Sequence, residues 1–166
     1  MKTLDAVIAS SNQPDQKLLS WMLLVQRLCF IITGIIATVI LCGWLIPAFG
    51  AILPTGWALM KANTALAMLL STASLALIQQ EQSDRRTLIS RICAALVVLL
   101  AGAALFGHLT GRSVALNTLL AADSSADMPG RMSIQTAAFL MLLGLALAFE
   151  GKWQKRHSHV VDLLTI

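Results

Sequence analysis

Two clusters of polar residues in this 166-residue chain have the types and spacing to bind a ligand. Each lies where a long apolar segment begins, and a helix that starts there presents unpaired N–H groups and a partial positive charge. Cationic side chains beside such helix ends favour a small polar or anionic ligand. The residues of the two clusters are Lys61, Asn63, Thr64, Arg131, Gln135 and Thr136.

Trp44, Trp57, His108 and Arg112 lie near the same ends of the apolar segments and extend this candidate ligand site. A histidine in an apolar segment can bind a metal ion or haem, or respond to pH. Haem needs a second axial ligand, and the sequence places no other histidine at that end of a segment. We therefore favour a hydrogen-bonded role for His108.

The sulfur-containing residues do not have the spacing of a metal or redox site. The three cysteines Cys29, Cys42 and Cys93 form no CxxC pair, and the seven methionines form no MxxM cluster. Small packing residues explain the cysteines better than a redox switch, and methionine is common in apolar cores. With no nucleophile or carboxylate pair in the apolar segments, the sequence predicts no catalytic residue, no metal and no cofactor.

The elements that must position these residues follow from the distribution of charge. Hydrophobic residues make up 57% of the chain and charged residues 12%, which argues against a disordered chain, a disulfide scaffold and a soluble enzyme core. Residues 28–60, 62–80, 92–111 and 132–149 contain no Asp, Glu, Lys or Arg. Because about 20 apolar residues cross a bilayer as a helix, we predict spans at about 25–46, 58–79, 91–109 and 132–150. Prolines and glycines from Pro47 to Gly56 separate the first two spans.

The basic residues predict the orientation of these spans. Nine of the 12 Lys and Arg residues lie in the N-terminal segment, the connection between spans two and three, and the C-terminal segment. Cytoplasmic segments are enriched in Lys and Arg, so both termini are predicted to be cytoplasmic. This bias also accounts for the net charge of +4, and no nucleic-acid partner is predicted. Residues 1–24 are then a cytoplasmic leader or interfacial segment rather than a cleaved signal peptide, with Leu18 to Val25 lying at the interface or lengthening the first helix.

The chain contains an internal repeat. Residues 26–45 align without gaps on residues 90–109 with six identities in 20, and residues 60–77 align on 132–149, again with six identities. The first alignment pairs Trp44 with His108, and the second pairs Met60 with Met132. The sequence therefore predicts an all-α integral membrane protein with two tandem two-helix repeats, about 26–79 and 90–150, related by an axis along the membrane normal. Small residues are expected at close helix contacts, namely Gly34, Gly43, Ala101, Gly107 and Gly144.

The motif that begins each second helix is MKANTAL at residues 60–66 and GRMSIQTA at 130–137. This repeated pattern, followed by an apolar helix, resembles the N-terminal multi-pass membrane module of bacterial sensor histidine kinases and GGDEF diguanylate cyclases. Ala62 and Ile134 stand where that family has proline, and Gln135 where it has asparagine. The resemblance covers about residues 25–150 and implies a sensory input module in the bacterial inner membrane. It also implies a homodimer and carries no catalytic residues.

Two alternatives remain open from the sequence. At the polar clusters, Asn63 or Thr64 and Ser133 can cap the helices while Lys61 and Arg131 reach lipid headgroups, with no ligand bound. For the whole chain, the alternative to a sensor is a free-standing small transporter, channel or subunit of a membrane complex, which the absence of acids in the spans disfavours. If the sensor interpretation is right, residues 151–166 begin a signalling helix that leads to a kinase or cyclase domain beyond this chain.

Overall fold

The structure is a computed structural model that describes residues 16–79, 83–111 and 132–164. Within these ranges every regular element is helical, which confirms the all-α prediction for the described residues. A short helical turn, Pro47–Gly50, and a 3-10 turn, Trp57–Leu59, lie between the first two long helices. The long helices are α1 (Gln16–Leu45), α2 (Ala62–Ile78), α3 (Asp84–Thr110) and α4 (Ile134–Leu164).

Two of these helices, α1 and α3, are long and apolar enough to cross a membrane, and α2 and residues 134–149 of α4 are shorter apolar helices. Helix α1 begins at Gln16, so Leu18 to Val25 lengthens the first helix, one of the two possibilities open from sequence. Helix α4 extends well past the apolar segment, to Leu164. The charge-free windows therefore indicated the apolar parts of the helices, but not the residues by which α1 and α4 extend beyond those windows.

The chain divides into two compact units, residues 1–32 and 33–166. In the first unit, the described residues belong to α1, and their large apolar side chains are exposed, including Trp21 at 67% and Ile31 at 58%. In the second unit, α3 packs against both α2 and α4, and α2 also contacts α4. The second unit therefore contains the helix packing that positions the candidate site.

The core of the second unit is built largely from small side chains. Its buried cluster contains four alanines with Val97, Met132 and Leu140, while large apolar residues such as Phe139 and Leu109 point outward and are 73% and 86% exposed. Small residues inside and large apolar residues outside are typical of helices that associate within lipid, because small side chains let the backbones approach. The alanines are Ala67, Ala101, Ala104 and Ala137.

Helices α3 and α4 approach each other closely at Gly144. A Cβ added there would lie 2.8 Å from Val98 Cγ2 and 3.2 Å from the Val98 backbone nitrogen. Helices α1 and α2 are in ordinary van der Waals contact at Gly34, where an added Cβ would lie 3.8 Å from Thr72 Cγ2. The repeat alignment pairs Gly34 with Val98 and Thr72 with Gly144. The same two positions therefore meet in both helix pairs, with the glycine on opposite partners and the tighter contact at Gly144.

Two buried hydroxyl groups join α2 to α3. Ser74 and Ser90 lie 2.9 Å apart between their Oγ atoms, and each hydroxyl also lies within hydrogen-bonding distance of the other residue's carbonyl oxygen, at 3.1 and 3.2 Å. Both side chains are buried, at 0% and 3% exposure. Buried polar groups are stable only when hydrogen-bonded, so this reciprocal pair fixes how the two helices face each other.

Candidate functional site

The first group of candidate residues surrounds the connection between α1 and α2. Trp44, at the end of α1, donates its indole N–H to the carbonyl oxygen of Met60 at 2.9 Å. The Trp57 ring lies edge-on to the Trp44 ring, with 5.3 Å between their centroids. The Lys61 ammonium nitrogen lies 5.7 Å from the Trp44 centroid, which is within cation–π range. The structure therefore brings together Trp44, Trp57 and Lys61, three of the candidate ligand-site residues.

Two glycines make room for the Trp57 ring. A Cβ on Gly43 or on Gly50 would lie 2.9 Å from an atom of that ring, closer than real Cβ contacts occur. The connection also passes through Gly56, whose φ of +100° lies in the left-handed region that favours glycine. Gly43 and Gly50 therefore leave the space in which the Trp57 ring packs beside Trp44.

The second group lies where α3 ends and α4 begins. His108 Nε2 is 2.8 Å from the carbonyl oxygen of Met132. A carbonyl oxygen only accepts hydrogen bonds, so Nε2 carries the proton and donates it. This is the hydrogen-bonded role that the sequence analysis favoured for His108.

Ser133 caps helix α4. Its Oγ accepts a hydrogen bond from the backbone N–H of Thr136 at 3.2 Å and lies 2.8 Å from the Thr136 hydroxyl oxygen. The capping role predicted for Ser133 is therefore confirmed, and one N–H group at this helix end is already satisfied. At the start of α2 the N-cap residue is Lys61, which makes no side-chain capping hydrogen bond.

The two groups share one arrangement. In each, the ring N–H of a residue in the last turn of one helix is donated to the carbonyl of a methionine just before the next helix. The donors Trp44 and His108 are paired in the repeat alignment, and so are the acceptors Met60 and Met132. Aligned residues thus make the same hydrogen bond, although one donor is an indole and the other an imidazole.

The remaining candidate residues are placed differently. Asn63 is buried at 2% exposure, Thr64 and Thr136 are half-buried, and Gln135 is exposed. Arg112 and Arg131 lie outside the described residues. The structure therefore places Lys61 with the tryptophans and Thr136 with Ser133.

Sequence reasoning missed the acceptors of both ring hydrogen bonds and the Ser74–Ser90 pair. The acceptors are backbone carbonyls, which every residue carries, so no residue type indicates them. The alignment of Trp44 with His108 and of Met60 with Met132 was the available signal, but it did not link the two pairs.

The site offers a cation and aromatic faces rather than reactive groups. Lys61 can attract an anion while its ammonium lies over the Trp44 ring, and His108 Nε2 is already hydrogen-bonded to the Met132 carbonyl. Among the described residues, no three His, Cys, Asp or Glu side chains converge to hold a metal ion. All three cysteines are free thiols, with Cys29 exposed and the other two half-buried.

Comparisons with protein families, with curated proteins and with solved structures found no match to this chain.

Proposed function

We propose that this chain is the transmembrane input module of a bacterial signalling protein. In this proposal, four helices cross the inner membrane with both termini in the cytoplasm, and two copies form a homodimer. The module responds to a ligand at its outer face, or to the membrane itself, and passes the response to a cytoplasmic histidine kinase or diguanylate cyclase domain.

Three observations support a membrane location for the second unit. Its core is made of small residues, its large apolar side chains face outward, and α3 is long enough to span a bilayer. In water these outward faces would form an apolar surface that soluble monomers rarely expose. Lipid is the natural solvent for such a surface, and the shorter apolar helices fit a bilayer together with α1 and α3.

The single observation that carries the sensory proposal is the continuity of α4. This helix begins at Ile134, beside the outer hydrogen bonds, and runs without a break to Leu164. At about 1.5 Å per residue it is about 45 Å long, which exceeds the thickness of the hydrocarbon core. A displacement of one end of such a continuous helix also displaces the other end, as a transmembrane signal requires.

The ligand in this proposal is a small anion held at the outer face. Lys61 supplies a charge above an aromatic ring. Arg131, the residue before Met132 in the second motif, would supply the second charge in this proposal.

The ligand site is tested by titrating the purified protein in lipid nanodiscs with inorganic phosphate, acetate and citrate while tryptophan fluorescence is recorded. We expect a saturable change for at least one anion, because Lys61 rests on Trp44. Replacing both charges (Lys61→Gln with Arg131→Gln) should raise the Kd at least about tenfold, since a hydrogen bond to a charged group contributes about 1.5–3 kcal/mol. Arg85→Gln with Arg86→Gln is the matched control. An unchanged Kd in the Lys61/Arg131 variant would contradict the site.

The output is tested on the natural gene product. A mass well above 17.8 kDa would establish a fused domain, whose autophosphorylation or cyclic di-GMP synthesis can then be assayed. A natural product that ends at Ile166 would contradict the sensory proposal and favour a free-standing transporter or membrane-complex subunit.

A further inference from the structure

Helix α4 packs against α3 through the buried cluster that includes Ala137 and Leu140, and two further contacts join the helices at defined points. The first is the hydrogen bond from His108 Nε2–H to the Met132 carbonyl, which we name the His108 anchor. The second is the close contact of Gly144 with Val97 and Val98, which we name the Gly144 pivot. The anchor holds the chain just before α4 begins, and the pivot holds the helix about 15 Å further along its axis.

The two contacts differ in physical character. The anchor is one directional hydrogen bond at a half-buried position, so it can open at modest cost. The pivot is a packed contact in which a Cβ on Gly144 would lie 2.8 Å from Val98 Cγ2, so there is no space between the helices. The helices therefore cannot move closer together at Gly144, whereas opening the anchor releases the chain just before α4.

From these contacts we propose that α4 is a lever that turns about the Gly144 pivot and that the His108 anchor holds in one position. The outer arm runs from Ile134 to Gly144, and the inner arm runs from Gly144 to Leu164. The inner arm has twice as many residues as the outer arm. A rigid helix released at its outer end therefore moves its inner end in the opposite direction and about twice as far.

The other repeat supplies the control for the anchor. Trp44 makes the equivalent hydrogen bond to Met60 with an indole N–H. The anchor should therefore need a ring N–H donor rather than a histidine as such. His108→Trp is expected to keep the lever in place, whereas His108→Phe keeps a ring but removes the donor.

The lever is tested with pairs of spin labels on the full chain in lipid nanodiscs, with the three native cysteines replaced by alanine. The outer pair is placed at Thr110 and Ile134, and the inner pair at Asp84 and Lys155. His108→Phe should shift the mean distances of the two pairs in opposite senses and by similar amounts, because Lys155 and Ile134 lie 11 and 10 residues from Gly144. His108→Trp should match the parent. If His108→Phe does not fold, His108→Gln keeps an N–H donor on a more flexible side chain and should give a smaller shift of the same pattern.

Two results would overturn the lever. Unchanged distances in both pairs would show that the anchor does not hold α4, and an outer shift without an inner shift would show that the helix end frays instead of turning. The lever rests on the proposed function only for what its inner end controls. These distances need no output domain, so a lever that moves while the natural protein shows no signalling output would overturn the sensory proposal alone.

Discussion

Trp44 and His108 differ in size and basicity, yet each donates a ring N–H to a backbone carbonyl, at 2.9 and 2.8 Å. The shared property is a flat ring with a donor at its far edge, placed in the last turn of a helix. A ring placed in this way can donate its N–H to a backbone carbonyl just before the next helix. At the residue scale, hydrogen bonds of this kind join the end of one helix to the residues just before the next helix in the second unit.

We predict that Trp44→Phe lowers the free energy of unfolding by about 1 kcal/mol, because it removes a hydrogen bond of about 0.5–1.5 kcal/mol and leaves the Met60 carbonyl without its donor. Reversible unfolding in mixed micelles, followed by circular dichroism, measures the change. Trp21→Phe is the matched control, since Trp21 lies on the same helix at 67% exposure. Equal effects of the two substitutions would contradict a specific role for the Trp44 hydrogen bond.

Side-chain volume is constrained at Gly144, where an added Cβ would lie 2.8 Å from Val98 Cγ2. We predict that Gly144→Ala destabilises the protein by about 1–3 kcal/mol, the usual cost of forcing atoms into a packed contact. Gly102→Ala is the control, because its Cβ would meet only Met141 Cε, at 3.7 Å. The same unfolding measurement checks both variants.

The repeat provides a rescue for this prediction. Val98→Gly combined with Gly144→Thr recreates the Gly34/Thr72 pair of α1 and α2. We expect the double variant to be more stable than Gly144→Thr alone. If the second substitution gives no recovery, the two helix pairs do not share a packing rule.

At the scale of the elements, the helices differ in how far they extend beyond their apolar part. Helix α2 ends at Ile78, whereas α4 continues from its apolar segment to Leu164. A helix that ends at the membrane surface transmits no motion beyond it, whereas a helix that continues past the surface does. This difference assigns the transmitting role in the proposed sensor to α4 rather than α2.

We predict that inserting alanines after Gly151 changes the output of the natural protein with a helical period. Each inserted residue rotates the rest of the chain by about 100° and advances it by about 1.5 Å. One or two insertions should therefore alter the activity strongly, and seven, close to two full turns, should restore most of it. A steady decline with insertion length, measured as kinase or cyclase activity in membranes, would argue against helical transmission.

At the scale of the whole molecule, the proposed function depends on which helix ends face which side of the membrane. In the proposed topology, which follows the positive-inside rule, the α1–α2 connection lies outside and the α2–α3 connection inside. Thr55 and Ser83 lie in these two connections, and both are exposed. They are therefore suitable reporters of orientation.

We predict that a membrane-impermeant maleimide labels Thr55→Cys in intact cells and labels Ser83→Cys only after the cells are permeabilised. The native cysteines are replaced beforehand, so that Cys42 near the outer end of α1 does not react. Mass spectrometry of the purified protein measures the labelling. Labelling of Ser83→Cys in intact cells would reverse the proposed topology.

The sequence by itself determined that the described chain is helical and where the apolar helices lie, because long charge-free windows and the break from Pro47 to Gly56 leave few other arrangements. It also determined which residues correspond in the two repeats. Which face of each helix is buried required the tertiary structure, since an almost uniformly apolar segment has no polar side to mark its exterior. Only the tertiary structure showed the alanine core, the Gly144 contact and the Ser74–Ser90 pair. The Met60 and Met132 carbonyls were found in the same way, because a backbone acceptor leaves no trace in residue type and is recognised only when a donor is placed against it.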